Sequence, residues 1–412
     1  MKKWPSFTRS ATFHSNRALT MKSFPCRSTS NSVWSRLLSV VLLTGPLALA
    51  VAQPVSDNTV IESLPGSSRV SAQERGLRQQ LAAQPSNANV AVALAQRLVD
   101  RSRSEGDPRP AGQALAVLSR WPDAATAPIE VLMQRANAQQ HLHDFQAARL
   151  SLEQLVKREP RHAQAWLTLA TLHRLQGRYA ASNQACAGVE RAGESFFSKG
   201  CLAENQALQG QTQQARRTLR QLAADDGRTA EHRVWLLTTL AELEARSRRT
   251  VAAEQAYKAA MLLAPRDAYA AVSYADFLLQ QSRPADVVAL LKDQARSDAV
   301  LLRLTWARQQ LQAPEAVADL KELGERMKQD KLSEQERLGH AREHAMFALW
   351  IQKDAKRALA LARTNLTVQR EPVDLLLLAS AARASQDAAA LKEVRQLKKE
   401  MGLFDERLDA LL

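Results

Sequence analysis

Glycine is scarce in this chain, 14 in 412 residues, roughly half the ~7% share of an ordinary protein. No β-branched run alternates with period two either. Together these absences argue against sheets and for helices joined by short turns. Cysteine is rarer still: three residues, with no C-x-x-C pair, exclude a disulfide-stapled miniprotein and a zinc-knuckle scaffold. Phosphate-cradling loops are missing, since neither G-x-G-x-x-G nor G-x-x-x-x-G-K occurs. There is no G-x-S-x-G elbow for a serine nucleophile. No apolar run reaches the ~20 residues that span a bilayer; the longest, Leu37 to Ala52, has sixteen and is broken by Gly45-Pro46. Nothing in this list nominates an enzyme class.

Acidic residues are absent from the first 52 positions, which carry seven basic ones. A basic start, the short apolar run and the small-x-small sequence Ala50-Val51-Ala52 before Gln53 have the layout of a cleavable secretory signal peptide. Met21 offers a second initiator that would give the leader ordinary proportions. A mitochondrial transit peptide and an uncleaved anchor are the rival readings. No cysteine follows Ala52, so a lipid-modified terminus is not expected. Of the 56 basic residues, seven leave with the leader, and 49 against 42 acidic ones reduce the net charge from +14 to +7. That remainder is spread as mixed pairs rather than massed, so no nucleic-acid partner is expected. The membrane would be reached only through partners or an uncleaved leader. Cys26 leaves too, and Cys186 and Cys201 remain in an oxidising compartment. They form a disulfide or a pair of buried thiols, and a redox or metal role is the third reading, which the spacing of fifteen without C-x-x-C matches poorly.

What the chain does have is helical periodicity. A polar lead-in at 53–71 precedes a helix over Ala72 to Ala83, and Asn87 is placed to cap the next one. Two stretches then repeat in register: Leu132 falls on Trp166, Ala136 on Ala170, Phe145 on Tyr179 and Leu152 on Cys186, each 34 residues apart. With Trp166-x2-Leu169-Ala170 and Pro160 in their places, the chain resembles the tetratricopeptide repeat family, whose unit is a 34-residue helical hairpin. The resemblance implies an all-α fold, a right-handed superhelical solenoid over 72–412. Its clearest repeats lie at 128–161, 162–194, 195–224, 234–267 and 268–294, with degenerate hairpins over 297–412. The stretch from Arg357 to Ala382 is similar to the last units of exported bacterial members.

The family implies function by binding rather than catalysis: a scaffold that holds another protein or peptide, without cofactors, here in the periplasm or outside the cell. By the family's geometry the first helix of each unit lines the concave face. The groove positions would be Glu130, Met133, Asn137 and Gln140, then Gln164, Leu167, Thr171 and Arg174, then Trp235, Thr238 and Glu242. The lysine and asparagine clamp that some members close on a peptide carboxylate is not reproduced. Met133, Leu167 and Gly200 stand at the lysine positions, and Asn137, Thr171 and Glu204 at the asparagine ones.

One string competes with the binding reading. His340-Ala341-Arg342-Glu343-His344 is the H-x-x-E-H pattern of a zinc peptidase helix. His340 and His344 on one helical face could share a metal, and Glu343 could polarise its water. The alternative function is therefore a metal-binding protein or metallohydrolase, against the plainer reading of a solvated helix face. The neighbouring string His141-Leu142-His143-Asp144 falls on a turn and is expected at the surface.

Overall fold

The computed structural model describes residues 70–105, 108–328 and 334–412. The leader at 1–52 and the lead-in as far as residue 69 lie outside them. Among the described residues the chain is all helix, without a strand, and no helix is long and apolar enough to cross a membrane. The helix Ala72–Ala83 comes first. Asn87 caps the next, its side chain accepting from the Val90 amide at 3.2 Å. That helix, Ala88–Glu105, pairs with Arg109–Leu118.

Eight further hairpins follow, and one turn device closes seven of them. The pairs are Ile129–His141 with Phe145–Arg158, Ala163–Leu175 with Tyr179–Arg191, Ser195–Leu208 with Thr212–Ala223, and Ala230–Arg246 with Thr250–Leu263. Then come Ala268–Gln280 with Pro284–Leu291, Asp298–Gln310 with Glu315–Arg326, Ala341–Met346 with Ala355–Asn365, and Pro372–Ala384 with Ala388–Met401. Between the two helices of each lies one residue with positive φ: His143, Gly177, Gly210, Arg248, Ser282, Gln312, Lys353 and Gln386. The left-handed residue lets the next amide reach back five residues, as from Arg178 to His173 and from Arg283 to Leu278. This is a Schellman cap, which satisfies carbonyls that the helix end would leave orphaned. The penultimate hairpin departs from it. Its first helix continues as a π-helical turn, Phe347–Ile351, so the Asp354 amide reaches back six residues, to Ala348. That turn lays the Trp350 indole flat on Trp306, 4.4 Å between ring centroids.

Packing follows the residue sizes. Ala136, Ala170, Ala203, Ala241 and Ala275 are buried where first and second helices cross, and Phe145 and Tyr179 are buried at the start of second helices. Each fully buried leucine, such as Leu132, Leu172, Leu236 or Leu278, contributes about 2 kcal/mol.

Neighbour-to-neighbour packing does not account for everything. The final hairpin and its flanks fold back onto the tips of earlier ones. The Arg370 amide donates to the Leu175 carbonyl and the Phe404 amide to Leu208, both at 2.7 Å. Met401 lies against Gly177, whose missing side chain leaves room for it, and Phe404 lies beside Gly210. Tyr179 and Leu208 belong to the same apolar cluster as the C-terminal helices. Gly177 therefore serves twice, for its positive φ and for the close approach of Met401, whereas at Gly210, which has positive φ too, a Cβ would make only ordinary contact with Phe404 at 3.6 Å.

Within the degenerate hairpins the helical stretch from Glu334 to Ile351 is broken. One helix ends at Gly339, His340 occupies the turn, and the next begins at Ala341. Gly339 is needed there, because a Cβ would stand 2.9 Å from the His143 ring. The same contact corrects the surface reading of the 141–144 turn: His143 is buried against the C-terminal segment.

Candidate functional site

The first helices of successive hairpins present a common face, and a polar ladder runs along it. Arg174 pairs with Glu204 at 3.0 Å. Glu242 accepts from the Tyr269 hydroxyl at 2.6 Å and from Ser273 at 3.3 Å. Asp276 takes both arms of Arg303, at 2.8 and 2.7 Å. Arg342 is held by Asp374, at 2.6 and 2.8 Å, and by Glu371 at 2.7 Å. Each link joins one hairpin to the next, so the ladder fixes the stacking register with charge-assisted, partly desolvated bonds.

Of the groove positions expected from sequence, Glu130 is exposed, while Met133, Asn137, Gln140, Gln164, Thr171, Trp235 and Glu242 are half-buried. Leu167, Arg174 and Thr238 are only 4%, 9% and 1% exposed, a correction to their reading as open surface. Leu167 packs into the apolar core, Arg174 is tied into the ladder, and Thr238 is enclosed by its neighbours. Trp235 is also committed within the fold, its ring packed over Gly200.

Gln140, Thr171, Arg174 and Glu242 meet around a cavity of about 170 Å³, closed on its other side by side chains of the C-terminal helices, among them Arg342, Glu343, Leu376 and Arg407. The aromatic part of its wall is Tyr257, Tyr269 and Phe277. Tyr257 and Tyr274 stack at 5.1 Å, and burial pushes the Tyr274 hydroxyl up to about 12. Arg246 also lines this cavity. Sequence reading passed it over, because a basic residue in the last turn of a helix is usual there.

Cys186 and Cys201 are joined by a disulfide, with 5.8 Å between their Cα atoms. It links the second helix of one hairpin to the first helix of the next. Beside it the buried Asn205 donates to Ser182 at 2.9 Å, and Ser182 donates to the Ala170 carbonyl at 2.8 Å.

The H-x-x-E-H string does not assemble a metal centre. His340 sits in the turn, its ring 5.9 Å from that of His143, while His344 is buried. Burial lowers the His344 pKa to about 4, with His340 and Arg357 adding to the effect. Glu343 faces the cavity instead. Among the described residues no group of three or more His, Cys, Asp or Glu side chains could hold a metal ion.

The repeated hairpins and their left-handed turns decide the architecture: from His143 to Gly177, and from Arg248 to Ser282, the turns are 34 residues apart, the length of one hairpin unit, and the other intervals run from 30 to 41. The fold is tetratricopeptide-like. No protein-family profile matches the sequence, and no curated protein matches it. Among solved structures, the chain is similar to a tetratricopeptide repeat protein from Parabacteroides merdae, with TM-score 0.43, 18% identity, and 61% of this chain and 90% of that one covered. It is similar also to PilF of Pseudomonas aeruginosa, with TM-score 0.35, 13% identity, and coverage of 52% and 96%. The Cut9–Hcn1 hetero-tetramer of the APC/C gives TM-score 0.38, 15% identity, and coverage of 76% and 60%.

Proposed function

We propose that this tetratricopeptide-like chain is a non-catalytic scaffold of the bacterial cell envelope. It would be exported through the leader at 1–52 and hold a segment of another protein on the first-helix face of its N-terminal hairpins. The division of that face supports this reading. From Arg174 onward the polar ladder and the C-terminal helices engage the first helices. Ahead of it Glu130 is exposed and Met133, Asn137 and Gln164 are half-buried. A mixed apolar and polar strip of this kind suits an extended or helical peptide segment, with anchors from the apolar members and orientation from the amides.

The test is in-cell cross-linking from a photoreactive residue placed at Asn137, at Gln164, or at Leu262. Leu262 is 83% exposed on a second helix and serves as the control surface. The scaffold reading expects one protein captured from the first two positions and not from the third. Capture that is equal at Leu262, or absent at all three, would overturn it. Export has its own check: the N-terminus of the mature protein should read from Gln53.

A further inference from the structure

The cavity beneath the C-terminal helices holds a guanidinium that has no hydrogen bond or close ion pair among the described residues. Arg246 is 4% exposed and lines the wall. Among the described residues no hydrogen-bond acceptor or carboxylate pairs with its guanidinium, and its buried Nε has no partner. The other arginines of the wall are all engaged. Arg174, Arg303 and Arg342 belong to the ladder, and Arg407 pairs with Asp405 at 2.7 Å. Nearby Glu242 already accepts two hydroxyl donors. Glu242 and Asp405 act on it electrostatically without bonding to it, and a guanidinium buried without hydrogen bonds is costly unless an acceptor arrives from outside the chain.

We infer that Arg246 anchors the carboxylate of a small free organic acid bound in this cavity. The size fits such a ligand. An apolar cavity of roughly 150 Å³ accepts a benzene-sized molecule, and this one measures about 170 Å³. Val272, Phe277, Met346 and Leu376 offer apolar contact to the body of the acid while Arg246 takes its head. Of the carboxylates in the wall, Glu204, Glu242, Asp276 and Glu371 are already engaged by Arg174, Tyr269, Arg303 and Arg342, which leaves Glu343 facing the cavity. A guanidinium presents paired donors that match a carboxylate. Burial lowers the Arg246 pKa, with Glu242 and Asp405 opposing. Arginine remains charged in a protein interior all the same. The site goes beyond the scaffold reading and needs no protein partner. It lies at the far end of a first helix, away from the positions that clamp peptide termini in the family.

Benzoate is the probe, titrated into the purified protein by calorimetry with benzamide, inorganic phosphate and a tetra-alanine peptide as comparisons. The expected result is saturable 1:1 binding of benzoate, with benzamide weaker by roughly tenfold or more, the effect of losing one charge-assisted hydrogen bond. Arg246→Met should abolish binding and melt no lower than the wild type, since it removes a buried guanidinium that bonds to no side chain. A merely structural arginine would lower the melting temperature instead. If Arg246→Met fails to fold, Arg246→Lys supplies the reading: weakened benzoate binding supports the site, and unchanged binding overturns it. The inference is also overturned if benzoate does not bind at millimolar concentration or if benzamide binds equally. Phosphate or the peptide binding more tightly than benzoate would overturn it too.

Discussion

Gly188 sits inside the helix Tyr179–Arg191, where alanine would ordinarily stabilise by about 1 kcal/mol. Here the sign should reverse. A Cβ at Gly188 would stand 2.3 Å from Trp166 Cδ2 and 2.7 Å from Cγ, so the indole would have to retreat by about 1 Å to reach ordinary contact at 3.4 Å. Cγ lies next to the backbone, so no rotation about χ2 moves it away. The ring is also pinned at its other edge, where Nε1 donates to the Pro160 carbonyl at 2.9 Å. Overpacking costs about 1–3 kcal/mol and a lost hydrogen bond about 1 kcal/mol. After the helix-propensity gain, Gly188→Ala should destabilise by about 2 kcal/mol, read as a lower midpoint in urea at unchanged slope. Gly200→Ala should cost less, because it meets the far rim of Trp235, at 2.5 and 2.9 Å, and the end of the Leu236 side chain at 3.2 Å. In a Trp166→Ala background the Gly188 substitution should become stabilising by about 1 kcal/mol. If Gly188→Ala is neutral or stabilising with Trp166 present, the close packing inferred for this hairpin is wrong.

The disulfide closes a 15-residue separation, so Cys201→Ser should cost about 3 kcal/mol in the chain-entropy picture. Intact mass of the alkylated protein should show Cys186 and Cys201 blocked from reagent until a reductant is added; two freely alkylated thiols would refute the bond. His344 gives a pH signature. It is 3% exposed and its folded pKa is depressed to about 4, so below the ordinary value of 6.5 the unfolded chain binds more protons. Its stabilising contribution is therefore full above pH 6.5 and lost as pH falls toward 4, by about 3 kcal/mol in all. Stability measured against pH for wild type and His344→Phe should diverge only within that window, and parallel curves would remove His344 as the cause.

The regular parts of this fold were legible because periodicity reports local packing. The helix over Ala72–Ala83 and the matched alanines Ala136 and Ala170 come straight from residue spacing. Residue type points to a left-handed turn only at Gly177 and Gly210. At His143, Arg248, Ser282, Gln312, Lys353 and Gln386 the same left-handed geometry is carried by side chains that disfavour it by about 1–2 kcal/mol, offset by the capping bonds it permits. That substitution is how a chain so poor in glycine forms so many tight turns. The break at His340 was hidden because it depends on a distant ring, that of His143. The cavity and Arg246 were hidden for the same reason: a 34-residue repeat predicts contacts between neighbouring units, not the return of residues 370–407 onto tips some 200 positions earlier. Three of the expected groove positions are buried: Arg174 because the first-helix face also carries the bonds that stack the repeats, Leu167 because it packs into the apolar core, and Thr238 because its neighbours enclose it.

That return is the central claim, and hydrogen exchange tests it most directly. The Arg370 and Phe404 amides are bonded to Leu175 and Leu208, so peptides covering 369–374 and 402–408 should exchange as slowly as the core helices. A Gly177→Leu substitution, which would displace Met401, should release both segments while the N-terminal hairpins keep their protection. Rapid exchange of those two amides in the wild type would contradict the closed arrangement, and the cavity with it.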